Sequence, residues 1–229
     1  MKRKIMTAVL SVIAAGAAVA YCRTTGGEMP AKGAQQAPGR TAGSAAGAGG
    51  RVLVAYFFVP ETDGTDASSG ASRVLSDGGT VGSTRYVAEI IREATGGDLF
   101  EIRTVRTYPG SHEALIDAAK REHDDGARPE LASHVGNLKE YDAVFVGFPN
   151  WWYDMPMPLY TFFDEYDFGG KTVIPFCTHG GSRFSGAVET IRGLEPRAAV
   201  LDGYAVARDR VPGSREGVLK WLERIGMKR

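Results

Sequence analysis

Apolar and polar positions divide the chain into short apolar runs separated by amphipathic stretches. Arg51 to Phe58 (RVLVAYFF), Ala143 to Phe148 (AVFVGF) and Lys171 to Cys177 (KTVIPFC) are nearly unbroken apolar runs rich in β-branched and aromatic residues. Such runs predict strands covered on both faces, as in a parallel sheet. Asp98 to Thr104 and Val200 to Ala207 add two further strands. Between them the apolar period changes to that of a helix. Val87, Ile90 and Ile91 share one face after Tyr86, and Gly96-Gly97 stops that helix. His112 to Asp125 gathers Ala114, Leu115, Ala118 and Ala119 on one side, Gly186 to Leu194 forms a third helix, and Arg215 to Ile225 turns Val218, Trp221, Leu222 and Ile225 inward. The order βαβαβαβαβα with right-handed crossovers predicts a five-stranded parallel sheet between two helical layers.

The stretch Tyr141 to Tyr160 (YDAVFVGFPNWWYDMPMPLY) organises the remainder. Its strand breaks at Pro149-Asn150, and Trp151 and Trp152 follow where the chain leaves the sheet. Two adjacent tryptophans do not easily share one buried face. In an open α/β sheet the ligand crevice lies beyond the carboxyl ends of the strands, so an aromatic plane there suits a flat ligand. The alternative is that both rings plug the core. Trp151, the first after the turn, is the expected platform.

Two further strand ends carry ligand-like segments. After the first strand, Val59 to Gly79 is a long insertion rich in Gly, Ser, Asp and Thr. It ends in Gly79-Thr80-Val81-Gly82-Ser83-Thr84, a hydroxyl-rich turn opening a helix, where backbone N–H groups, the positive end of the helix dipole and two hydroxyls point together. That suits a phosphate, and an ordinary N-cap explains the same residues. After the fourth strand comes Thr178-His179-Gly180-Gly181-Ser182-Arg183-Phe184-Ser185-Gly186, whose glycines permit close backbone approach.

Composition narrows the classes. The 229 residues carry 27 basic and 27 acidic side chains, which excludes a chain-wide attraction to nucleic acid. Met1 to Lys4 is basic and Ile5 to Ala20 is apolar and small, which reads as an export signal over 1–22 and places the domain outside the cytoplasm. Two processing readings stay open. Ala18-Val19-Ala20 fits a small-x-small cleavage site, giving a secreted or periplasmic protein, whereas Val19-Ala20-Tyr21-Cys22 resembles a lipobox in which Tyr21 is atypical. Lipidation at Cys22 is the preferred reading. Residues 23–50 lack large apolar groups and read as a flexible tether, so the folded domain spans 51–229.

Other chemistry is sparse. His112, His123 and His134 have no partners at metal-ligand spacing and read as solvated. Cys177 and His179 are two apart on an extended segment and share a face, yet no third residue orients them as a nucleophile pair. Gly181 to Gly186 does not form the G-x-S-x-G elbow of a serine hydrolase.

Together the three strand-end segments resemble the flavodoxin-like family, particularly its exported or lipoprotein branch, across 51–229. The resemblance rests on Thr80-Val81-Gly82-Ser83-Thr84 in place of the phosphate loop T/S-x-T-G-N-T, on Pro149-Asn150-Trp151-Trp152, and on Thr178-His179-Gly180-Gly181. It implies a three-layer sandwich with sheet order 2-1-3-4-5 and bound FMN at the topological switch point. The cofactor residues it implies are Thr80, Gly82, Ser83, Thr84, Pro149, Asn150, Trp151, Trp152, Thr178, His179, Gly180 and Gly181. The sequence departs from the family pattern in the insertion before the phosphate loop and in Ser83, which stands where the family has Asn. No tyrosine follows the fourth strand, which leaves the second ring face to Phe184 or to no aromatic. The expectation is an FMN-binding redox protein that serves a partner protein or reduces a small acceptor such as a quinone. The alternative is a binding module of the same fold that has lost FMN.

Overall fold

The structure, a computed structural model, describes residues 50–62, 73–76 and 79–229; for 73–76, 79 and 80 it describes the backbone only. The expected export signal over 1–22, its Cys22, and the tether 23–49 lie outside the described residues. In chain order the elements are β1 (Val52–Tyr56), β2 (Arg73–Ser76), β3 (Gly79–Gly82), α1 (Ser83–Thr95), β4 (Asp98–Glu101), α2 (His112–Asp124), β5 (Ala143–Pro149), α3 (Met157–Glu165), β6 (Thr172–His179), α4 (Ala187–Leu194), β7 (Ala199–Val200), β8 (Tyr204–Ala207) and α5 (Arg215–Arg224).

The main sheet runs β4-β1-β5-β6, with β7 and β8 both along the outer edge of β6 and every pair parallel. This is the order 2-1-3-4-5, with the fifth strand in two pieces. The alternation of side chains hidden inside the apolar runs now separates into two faces. Leu53, Ala55, Val144, Val146, Phe148 and Val173 pack with Leu115, Ala119, Leu159, Phe162 and Ile191, so α2, α3 and α4 cover that side. Val52, Val54, Phe145, Ile174 and Phe176 pack with Val87, Ile91, Val218, Trp221 and Leu222, so α1 and α5 cover the other. Fully burying side chains of this size is worth about 1.5 to 3 kcal/mol each, which makes these two layers the main source of stability.

Pro175 accounts for the break in the fifth strand, which the sequence predicts as a single run over Val200 to Ala207. On β6 the carbonyl of Val173 accepts from Leu201 on the outer edge (2.9 Å), whereas that of Thr178 accepts from Asn150 on the inner edge (2.8 Å). Odd-numbered residues of β6 therefore address the fifth strand. Pro175 is one of them, and it has no N–H to offer. The edge strand parts opposite it between β7 and β8, where Gly203 approaches so closely that a Cβ would lie 2.1 Å from the Pro175 carbonyl oxygen.

The other departures lie at strand ends. Gly79 to Gly82, predicted as a turn, is instead a strand paired antiparallel with Arg73–Ser76, so the insertion carries a hairpin of its own that runs directly into α1. Thr178 and His179, predicted as loop, are the last residues of β6. Among the described residues no helix is long and apolar enough to cross a membrane.

Candidate functional site

Strands β1, β5 and β6 end at one edge of the sheet, and Thr178 ties the segments there together. Its carbonyl accepts from the Asn150 N–H, and its hydroxyl lies 2.9 Å from that of Thr84 in the first turn of α1. The three segments expected to meet therefore do meet. Gly82, the residue before α1, supports this contact by having no side chain, since a Cβ there would lie 2.2 Å from the Phe58 ring. The first turn of α1 has neither a side-chain cap hydrogen bond nor an acidic residue, so its dipole is not neutralised locally. Ser83, Thr84 and Thr178 are all buried, and Thr80 is described only as backbone within β3.

Beside this junction lies a cavity of about 520 Å3. Leu115, Ile116 and Ala119 of α2 form one wall; Asn150 to Tyr153 and Gly180 to Ser182 form the others. Among the described residues no charged side chain lines it. A volume of this size with apolar walls and exposed backbone groups fits a flat, largely uncharged ring system.

The two tryptophans divide their roles. Trp151 is 6% exposed and meets Phe57 and Tyr108 edge-on, each at a centroid distance of 5.5 Å, which makes it a core plug with one edge at the cavity. Trp152 is 39% exposed; its Nε1 donates to the Ile116 carbonyl (3.3 Å), and the Lys120 ammonium sits 5.5 Å from its ring centroid. Trp152 is thus the exposed ring of the pair, and the preference for Trp151 as the exposed one reverses. Proximity to the strand end is what buries Trp151.

The backbone explains how Trp152 is presented. Trp151 and Asp154 exchange N–H···O bonds of 3.0 Å in both directions, and the residues between them, Trp152 and Tyr153, have φ of 50° and 66°. This is the two-residue turn with left-handed central residues that Asn-Gly normally supplies. With Trp and Tyr it stores roughly 1 to 2 kcal/mol per residue. Asp154 secures its base, accepting from Met155 N (2.8 Å) and from the Tyr160 hydroxyl (2.6 Å). The facing loop is strained too, with φ of 56° at Arg183 and 49° at Ser185, and the Asn150 side chain donates to the Arg183 carbonyl (2.9 Å).

His179 is buried, and its Nδ1 accepts from the Gly181 N–H at 2.9 Å, which places the proton of the neutral ring on Nε2. Burial lowers its pKa, with the Arg183 charge acting in the same direction, so the imidazolium is disfavoured. His179 therefore braces the turn at Gly180-Gly181. Burial likewise drives the Cys177 thiol well above its ordinary value, and its sulfur donates to the Arg183 carbonyl at 3.3 Å. The thiol is a core group, not a nucleophile. Phe184 packs on Phe148, 6.2 Å between centroids, and does not line the cavity.

Sequence reasoning missed three features. The α2 residues of the cavity wall were legible only as an inward stripe. Tyr153, 73% exposed at the cavity, had no signal. His112, predicted to be solvated, has Nδ1 2.8 Å from Glu61 Oε1, and Glu61 is buried with no hydrogen-bond partner for its other oxygen among the described residues. His123 and His134 are at the surface as expected, and no group of three or more metal-ligating side chains occurs among the described residues.

A parallel 2-1-3-4-5 sheet with its crevice at the strand ends defines the flavodoxin-like class of α/β fold. The flavodoxin family profile matches residues 74–225, and the chain belongs to that family. Among solved structures it is similar to a provisionally assigned flavoprotein of Bacteroides uniformis, at 32% identity over 76% of this chain and 99% of that one, TM-score 0.58. A second such protein, from Bacteroides eggerthii, shares 26% identity over 78% and 99%, TM-score 0.59. A Lactobacillus acidophilus flavoprotein in complex with FMN shares the fold at 19% identity over 73% and 99%, TM-score 0.51. A search of curated proteins finds no match.

Proposed function

We propose that this chain is an FMN-binding redox protein that passes electrons to a partner protein or to a small acceptor such as a quinone. The observation that carries the reading is the convergence of the uncapped α1 start, the Asn150-Trp151-Trp152 segment and the His179-Gly180-Gly181 segment beside an uncharged cavity of about 520 Å3. FMN would supply the electron and hydride chemistry when bound. The protein's part is placement. Trp152 offers a ring face and Gly180 a peptide group at the polar ring edge, while the N–H groups of Asn150 and Gly181 are engaged by the Thr178 carbonyl and His179 Nδ1. Neutral His179 thus holds Gly181 in position. Gly82, Ser83 and Thr84 would hold the phosphate at the positive end of α1. That Ser83 and Thr84 are buried favours the alternative, a fold that has lost FMN. Reconstitution decides between them: purified protein incubated with FMN and desalted should stay yellow with quenched flavin emission, and a colourless product removes the redox reading.

We further propose an extracytoplasmic location with a lipid on Cys22. The support is the basic and apolar run over 1–22 followed by a tether poor in large apolar groups. Replacing Cys22 by Ser is expected to move the protein from the detergent phase to the aqueous phase. If wild type already partitions into the aqueous phase, cleavage after Ala20 is the correct processing.

A further inference from the structure

Of all the large apolar side chains exposed among the described residues, Val105, Trp152 and Tyr153, two stand side by side in one strained turn at one cavity. Trp152 has contacts that hold it, to Ile116 and Lys120 on α2. Tyr153 has none among the described residues: its ring and hydroxyl make no contact that explains why a bulky residue occupies a left-handed position where Gly or Asn would be easier. Backbone strain kept without structural return points to function.

We infer that Tyr153 is a specificity-determining contact for the electron acceptor, receiving a flat, uncharged aromatic molecule of the quinone class at the cavity mouth. The inference rests on the FMN reading above. Trp152, anchored to α2, belongs to the wall that faces the cofactor; Tyr153, more exposed and unanchored, is the ring left for a second molecule. The apolar, aromatic lining favours an aromatic face stacked on an aromatic face. The concave setting favours a small molecule, which a cavity of this kind can largely enclose.

The test uses full-length protein loaded with FMN and reduced by dithionite, then mixed with menadione or with ferricyanide, which is neither flat nor aromatic. Menadione takes two electrons and two protons to give its hydroquinone; ferricyanide takes one electron per molecule, so two are consumed. Tyr153→Gly is expected to raise the half-saturating menadione concentration about threefold to tenfold, with a smaller change in the limiting rate, and to lower the menadione-to-ferricyanide ratio by the same factor. Tyr153→Phe, which keeps the ring, restores the wild-type ratio. Because the side chain touches little, Tyr153→Gly apoprotein should melt no lower than wild type. Equal loss with both acceptors, a parallel loss of FMN affinity, or unchanged menadione saturation overturns the inference. If wild type holds no FMN, that failure belongs to the functional reading. The seat is then tested in the apoprotein by menadione quenching of tryptophan emission, which Tyr153→Gly should weaken and whose absence overturns it.

Discussion

Trp151→Ala is expected to destabilise the apoprotein by about 3 to 5 kcal/mol, the usual cost of emptying a tryptophan-sized site in a packed core. For a chain of this size that lowers the melting temperature by roughly 6 to 20 °C. The reason is its surroundings: the ring is 6% exposed and wedged edge-on between Phe57 and Tyr108, which come from the end of β1 and the loop before α2. Removing it opens a void that joins the cavity, and the cavity wall loses a support. Trp152→Ala is expected to behave oppositely. Its ring is already partly in solvent, and truncation leaves the strained φ of 50° in place, so the apoprotein should melt within a few degrees of wild type. What it should lose is ligand-dependent stabilisation, through stacking of roughly 0.5 to 1.5 kcal/mol together with buried area. Thermal melting of both variants with and without FMN separates the two roles. Equal melting losses without ligand would contradict the division.

The double variant Ser83→Ala, Thr84→Ala is expected to weaken FMN far more than riboflavin. Each hydrogen bond lost to a charged phosphate costs about 1.5 to 3 kcal/mol, tenfold or more in affinity. Structural damage does not mimic this result. Thr84 pairs with Thr178 through their hydroxyls, so Thr84→Ala removes that buried hydrogen bond and loosens the junction for any ligand. That loss falls on FMN and riboflavin alike and cancels in their ratio, which leaves the phosphate term. A ratio of FMN to riboflavin affinity unchanged within twofold would place the phosphate elsewhere.

The alternation of apolar runs and helical periods implied a parallel sheet covered on both faces; its strand order 2-1-3-4-5 came from the family resemblance, because alternation does not say which strands are neighbours. Which residues of a run face which layer did not follow. Val52 to Tyr56 is apolar on both sides, so the split between Leu53 and Val54 emerges only when helices occupy the two faces. Pro175 stood in plain view, yet its effect falls on a neighbouring strand, and the sequence does not say which edge its missing N–H addresses. The hydroxyl-rich run Gly79 to Thr84 reads locally as a turn, while the partner that makes part of it a strand, Arg73 to Ser76, is supplied by the insertion itself. The Glu61–His112 contact joins residues 51 apart and leaves no local trace. At the site, the three strand ends were legible and the presentation of Trp152 was not. Turn chemistry calls for Asn-Gly between Trp151 and Asp154, and the chain has Trp-Tyr, so the rule fails at the point where strained aromatics line a cavity.

The central claim is that the cavity beside Thr178 holds the ring of FMN against Trp152. It is tested most directly by titrating apoprotein with FMN while recording tryptophan and flavin emission together, for wild type and Trp152→Ala. The account predicts saturable quenching of both signals at one FMN per chain in wild type, with weaker binding and less tryptophan quenching in the variant. Wild-type emission that does not change with FMN, or quenching identical in Trp152→Ala, would contradict it.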